Sequence, residues 1–236
     1  MFDKNLLKGK KILVTGGGSG LGKEMSRHFL TYGAEVIICG RRDEVLQKTA
    51  TELADETKGN ISAHSLDIRD SLAIEETINN IFDEGPLDGL VNNAAGNFIS
   101  RTNDLSPNGF NAIASIVFHG TFNMTNTVGK KWIELNKPGT ILSITTTWVW
   151  TGSPFVVPSA MSKSGINAMT KSLAVEWGPH NIRLNCIAPG PFPTEGAWSR
   201  LSPDTEATGG SMDQSSMSSN PMGLSLIHIS EPTRRM

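Results

Sequence analysis

KILVTGGGSGLG, residues 11–22, decides the fold. Lys11–Thr15 is a short apolar run that stops on glycines, which reads as a buried strand. Gly16, Gly17 and Gly18 follow at once, then Ser19, Gly20, Leu21 and Gly22, and Lys23–Tyr32 carries a helical pattern. Glycines let a backbone turn tightly and approach a ligand closely, and the N-terminus of the helix behind them favours an anion. A glycine pattern alone is weak, but strand, turn and helix in this order are the context that holds a dinucleotide pyrophosphate. The spacing is Gly16-x-x-x-Gly20-x-Gly22 rather than G-x-G-x-x-G.

The rest of the chain repeats the alternation. Ala34–Cys39, Ile61–Leu66, Leu87–Asn92, Gly139–Thr145 and Ile182–Ile187 read as further short strands. Between them lie helical patterns. One runs from a cap at Asp43 to about Thr57, one over Leu72–Phe82, and one over Pro158–Gly178. Another is capped by Ser106, opens on Pro107 and carries an apolar stripe of Phe110, Ile113, Val117, Met124 and Val128. The fold expected is α/β: a Rossmann-type, doubly wound parallel sheet with helices on both faces, in a single domain.

The 236 residues suffice for one such domain, and 38% hydrophobic with 19% charged residues is ordinary for a globular chain. A net charge of −2 and a pI near 6.2 give no reason to expect a nucleic acid or an anionic membrane as partner. The N-terminus lacks an apolar signal core and runs straight into a strand. Cys39 and Cys186 both lie in apolar segments, which suits free thiols in a reducing, cytoplasmic setting. No metal is expected.

The C-terminal region reads differently. Residues 207–221 (ATGGSMDQSSMSSNP) suit a mobile loop, either a substrate lid or a linker. LSLIHISEPTR, residues 224–234, resembles the translated read-through of a sequencing-library adapter, although LSLIHIS also alternates as a strand would. The adapter reading divides the chain into an incomplete domain over residues 1–223 and a non-native tail over 224–236. It places the break in the natural chain near Met222, with the last helix and strand of the fold missing.

The residues after the second strand test the 2′ position of the nucleotide. An acidic residue there would accept from a free ribose hydroxyl, whereas arginine can pair with a 2′-phosphate. Gly40-Arg41-Arg42 therefore points to NADPH. The glycine spacing, the Asn92-Asn93-Ala94-Ala95-Gly96 run after the fourth strand and Lys163 on the last helix together resemble the short-chain dehydrogenase/reductase family, in order and spacing over residues 10–200. The resemblance implies cofactor contacts along Gly16, Gly17, Gly18, Ser19, Gly20, Leu21 and Gly22, and at Arg41, Arg42, Asp67, Ile68, Asn93, Ala94, Ala95 and Gly96. It adds Lys163 at the nicotinamide ribose and Pro189, Gly190, Pro191, Phe192 and Thr194 beside the nicotinamide. Asp67 is expected to hold the adenine from the end of the third strand.

The family's alcohol and ketone chemistry needs a phenol four residues before the lysine, and this chain has Ser159 there. The enoyl reductase variant places its tyrosine six residues before the lysine, and that position is Val157. NNAAGNF (92–98), GSPFVVPSAMSK (152–163) and residues 172–200 are instead similar to the 2,4-dienoyl-CoA reductase subgroup, in which serine replaces that tyrosine. The resemblance implies a homotetramer acting on an acyl-CoA, with reduction of 2,4-dienoyl-CoA to 3-enoyl-CoA in unsaturated fatty-acid β-oxidation. Hydride adds to the far end of the diene, and fixed donors hold the oxyanion that forms on the thioester. Asn97 matches one family donor. The other, a tyrosine in the family, falls on Trp148, whose indole can donate a hydrogen bond but not a proton.

Thr146 stands where the wider family has a catalytic serine. His119 is expected either to serve a buried water relay beside Lys163 or to be structural. The resemblance assigns Arg69, Phe98, Ser106 and Arg200 to the CoA substrate. Two other readings stay open: reduction of another conjugated acyl thioester, and NADPH binding without catalysis.

Overall fold

The computed structural model describes residues 2–190. Its core is a six-stranded parallel sheet ordered β3-β2-β1-β4-β5-β6. The strands are β1 (Lys11–Thr15), β2 (Glu35–Gly40), β3 (Ile61–Ser65), β4 (Gly89–Asn92), β5 (Gly139–Ile144) and β6 (Ile182–Ile187). The chain runs outward from β1 to β3, then returns to the other side of β1 with β4. The C-terminal ends of β1 and β4 thus form the switch point at which open α/β sheets bind ligands.

Side chains alternate across a strand, so a sheet covered on both faces needs apolar residues at nearly every strand position. Leu13, Ile37, Leu90 and Ile141 face one layer, packed with Ile74 and Ile78 of α3 (Ser71–Asp83) and Met124, Val128 and Trp132 of α5 (Thr121–Glu134). Ile12, Val14, Val36, Ile38 and Val91 face the other, packed with Leu30 of α1 (Gly20–Thr31) and Leu46 and Leu53 of α2 (Asp43–Thr57). The doubly wound fold expected from the strand–helix alternation is therefore present.

Several boundaries differ in ways that bear on the site. α1 begins at Gly20, within the glycine turn, where Gly20 holds φ +54° and joins the turn to the helix. Asp43 is the first residue of α2 rather than its cap; Arg42 occupies the cap position in an extended conformation. Asp67 lies two residues past the end of β3 rather than closing it. Ser106 does cap α4 (Pro107–Ala114), its hydroxyl accepting from Gly109 N at 3.0 Å.

The apolar stripe beyond Phe110 is not one regular helix. Ser115–Gly120 forms a π-helix between α4 and α5. A four-residue α6 (Trp148–Thr151) precedes α7 (Val157–Glu176).

Candidate active site

The switch point is built first from backbone. Thr15 ends β1 and its hydroxyl accepts from Asn93 N and Ala94 N, each at 3.0 Å, while donating to Val91 O at 3.3 Å. The Asn93 amide returns the contact, donating to Thr15 O at 3.0 Å and Gly16 O at 3.3 Å. This clasp leaves no room for a side chain at Gly16 or Gly22. Gly16 has φ +66°, and a Cβ there would stand 3.0 Å from Ala94 Cα. A Cβ on Gly22 would meet Gly16 O at 2.3 Å. The helix start beyond is open to an anion: Ser19 at the cap position makes no side-chain cap bond, and no acid lies in the first turn of α1.

Arg41 and Arg42 are exposed beside this turn, and neither forms an ion pair among the described residues. Arg42 Nη2 lies 3.5 Å from Ser19 Oγ. A glycine-rich cradle, an uncapped helix start and two available guanidiniums fit a phosphorylated dinucleotide. Ile68 is buried and packs where a Cβ on Gly120 would meet it at 2.7 Å, so it shapes the wall between β3 and the π-helix.

Asp67 and Arg69 are committed to each other. Arg69 donates to Asp67 from its backbone N at 3.1 Å and from Nε at 2.9 Å to both carboxylate oxygens. The Arg69 hydrogen bonds hold the Asp67 carboxyl below the usual carboxylate range, with the Arg69 and Arg41 charges adding to the effect. Arg69, expected at CoA, is thus engaged with a residue expected at the adenine.

The other half of the site rests on side chains. Asn97 lies half-buried in the irregular segment after β4. Its Oδ1 accepts from Phe98 N at 3.0 Å, and its Nδ2 makes no hydrogen bond among the described residues. Phe98 packs against Ile113, Val117 and Ile166. Ser100 N donates to Phe155 O at 3.0 Å, tying this segment to the turn before α7. Phe155 holds φ +65°, an uncommon conformation for a side chain of its size.

Trp148 opens α6 and is half-buried, as is Thr146, whose carbonyl accepts from Val149 N at 3.3 Å. Ser159 and Lys163 are both buried on α7, one helical turn apart. The Lys163 amine donates to the Ile144 carbonyl. Burial pushes the amine down to about 8, partly opposed by Cys186.

The structure does not bury His119 beside Lys163. It is exposed, its ring edge-on to Phe118 at 5.4 Å. Ser106 is likewise exposed, with its hydroxyl committed to the cap. Pro189 and Gly190 follow β6, half-buried. Pro191, Phe192, Thr194, Arg200, the stretch 207–221 and the tail 224–236 lie outside the described residues.

Two contributors escaped the sequence reading. Thr15 was legible only as a strand end, although a hydroxyl immediately before a glycine turn is a usable signal. The Asn92 amide donates to Thr125 Oγ1 at 2.9 Å and Ser143 Oγ at 3.4 Å, and its buried Oδ1 has no hydrogen-bond partner among the described residues.

Comparison with known proteins agrees with this architecture. The family model described as short chain dehydrogenase matches residues 10–204. A probable 2,4-dienoyl-CoA reductase of Caenorhabditis elegans, (3E)-enoyl-CoA-producing, is 47% identical over 198 residues, covering 83% of this chain and 64% of that protein. A probable 2,4-dienoyl-CoA reductase of Bacillus subtilis, (2E)-enoyl-CoA-producing, is 38% identical over 194 residues, covering 81% and 76%. The crystal structure of a short chain dehydrogenase from Bacillus anthracis superposes with a TM-score of 0.75 at 44% identity, covering 78% of this chain and 75% of that one. The chain spans 63–64% of the length of the three C. elegans relatives it matches.

Proposed function

The chain belongs to the short chain dehydrogenase family, and we propose that it is an NADPH-dependent oxidoreductase that reduces 2,4-dienoyl-CoA to 3-enoyl-CoA in the β-oxidation of unsaturated fatty acids. One observation carries this reading. Lys163 is buried at the site with Ser159, not a phenol, one turn before it, while the Asn97 amide stays available. Such a site can hold an oxyanion but has no phenol to protonate a carbinol oxygen.

In this reading the cradle of Gly16–Gly22 takes the pyrophosphate at the start of α1, and Arg41 and Arg42 pair with the 2′-phosphate. The Lys163 amine holds the nicotinamide ribose. NADPH supplies the hydride when bound. As hydride reaches the δ-carbon, the diene electrons shift toward the thioester oxygen. Asn97 Nδ2 and the Trp148 indole N–H donate to that oxygen. Water then delivers a proton to the α-carbon, which leaves the 3-enoyl product and returns the thioester carbonyl. Phe98 lines the acyl side, and Arg200 pairs with CoA phosphate.

A homotetramer belongs to the same reading. Phe118, Phe122 and Met161, on the π-helix, α5 and α7, are 40%, 47% and 56% exposed, an apolar display that suits contact with further copies. A cytoplasmic location is consistent with the two free cysteines.

A second reading, nucleotide binding without catalysis, draws on Trp148 standing where the dienoyl subgroup has a tyrosine. The test is NADPH consumption with a 2,4-dienoyl-CoA, a 2-enoyl-CoA and a ketone. Rapid turnover of the dienoyl thioester alone is expected. NADPH binding with no turnover of any of them would favour the second reading.

A further inference from the structure

The ladder between β2 and β3 continues one residue past β3, through Leu66 N to Gly40 O at the end of β2, at 2.8 Å. The residues that follow, Arg41 and Asp67, therefore emerge as neighbours, and the Arg41 charge acts on the Asp67 carboxyl. Asp67 brings a negative charge to the edge where two exposed arginines await a phosphate. Left alone it would draw Arg41 to itself and repel that phosphate. It is not left alone. One guanidinium fills both carboxylate oxygens: Arg69 Nε lies 2.9 Å from each, Nη2 is 2.5 Å from Oδ2, and the Arg69 backbone N–H adds a contact to Oδ1.

We infer that Arg69 is a positioning residue for the nucleotide: by neutralising Asp67 it leaves Arg41 and Arg42 to the 2′-phosphate, and so sets the preference for NADPH over NADH. This rests on the reading that the chain takes NADPH. It gives Arg69 a task on the nucleotide side of the site, beside the CoA contact that the resemblance implies. The pair is partly exposed, with side chains 45% and 31% accessible, so the effect is moderate and weakens with salt.

The test is calorimetric binding of NADPH, NADH and a 2,4-dienoyl-CoA to wild type, Arg69→Ala, Arg69→Lys and the double variant Asp67→Asn/Arg69→Ala. The decisive readout is the ratio of the two nucleotide Kd values, which a general loss of adenine contacts would not move. In Arg69→Ala the preference for NADPH falls about fivefold, an amount suited to one added charge near a dianion in a wet site. NADH binding in the same variant shows that it is folded. Arg69→Lys keeps most of the preference. The double variant regains it, because the charge that Arg69 masked is gone.

An unchanged ratio in Arg69→Ala, with weakened dienoyl-CoA binding, overturns the inference and leaves Arg69 to the substrate alone. A double variant as impaired as the single one overturns it too. A wild type that binds NADH as tightly as NADPH overturns the cofactor reading itself, and this inference with it.

Discussion

At the ends of β1 to β3 a ligand meets mostly backbone, whereas at the ends of β4 to β6 it meets mostly side chains. The first region is a glycine-rich turn, clasped by Thr15 and Asn93 and backed by a helix start. The second is an amide in an irregular segment, an indole on a four-residue helix and a buried amine. Backbone geometry tolerates almost no substitution, so it fixes what is bound. Side chains on short elements can be exchanged one at a time, so they decide what is done with it. Ser159 and Trp148 are such exchanges relative to the family pattern.

The largest expected effect is on the side-chain half. Asn97→Ala should lower kcat by about 10²–10³-fold in NADPH oxidation with a dienoyl-CoA, with nucleotide Kd unchanged. A loss of nucleotide binding instead would break the division between the regions.

Thr15→Val strikes the backbone half. It leaves two amide N–H groups without their acceptor, and denaturant unfolding should show a loss of about 3 kcal/mol. NADPH affinity should fall along with it.

Lys163 sharpens the contrast through pH. Its amine sits at about 8 in the folded protein, below its ordinary 10.5. Between those values the unfolded chain holds a proton that the folded one lacks, so stability rises with pH across the window and is lost again as pH falls through 8. The nucleotide-free protein should gain on the order of 3 kcal/mol in this interval, and Lys163→Met should flatten the profile. A flat wild-type profile would mean that the amine is well solvated.

The smallest effect concerns the indole. Trp148→Phe removes one N–H donor and should cost about tenfold in kcat, whereas Trp148→Tyr should hold wild-type activity or exceed it. Equal activity for the Phe and Tyr variants would make Trp148 a packing residue.

The same contrast governs what could be read in the sequence. β1 and the glycine turn are legible because burial on both faces, or the absence of a Cβ, leaves few options at each position, and β6 is legible through the alternation of buried Ile182 and Leu184 with exposed Arg183 and Asn185. The π-helix is not legible. Val117, Met124 and Val128 are buried as a helical stripe requires, yet the wider turn at Ser115–Gly120 carries Phe118 and His119 to the surface. His119, two positions past buried Val117, falls away from that stripe, and its expected place beside Lys163 came from resemblance rather than from the helical period. Arg69 shows another limit: residue type announces a charge but not the partner that a local turn gives it. The amide and the indole could be found only by resemblance, because short irregular segments carry no period to read; the lysine lies on the long α7, whose period marks burial but not chemistry.

The Thr15 clasp has one more consequence, for the order in which the molecule assembles. Its two hydrogen bonds join residues 78 and 79 positions apart in the chain. The glycine turn cannot take its binding shape from its own local sequence, and must wait for β4 to dock beside β1. Loop closure over such a span is slow compared with forming a helix. During refolding, affinity for the dinucleotide should therefore appear only when the central strand pair closes, well after helix content has risen. The bound nucleotide becomes a reporter of that long-range step.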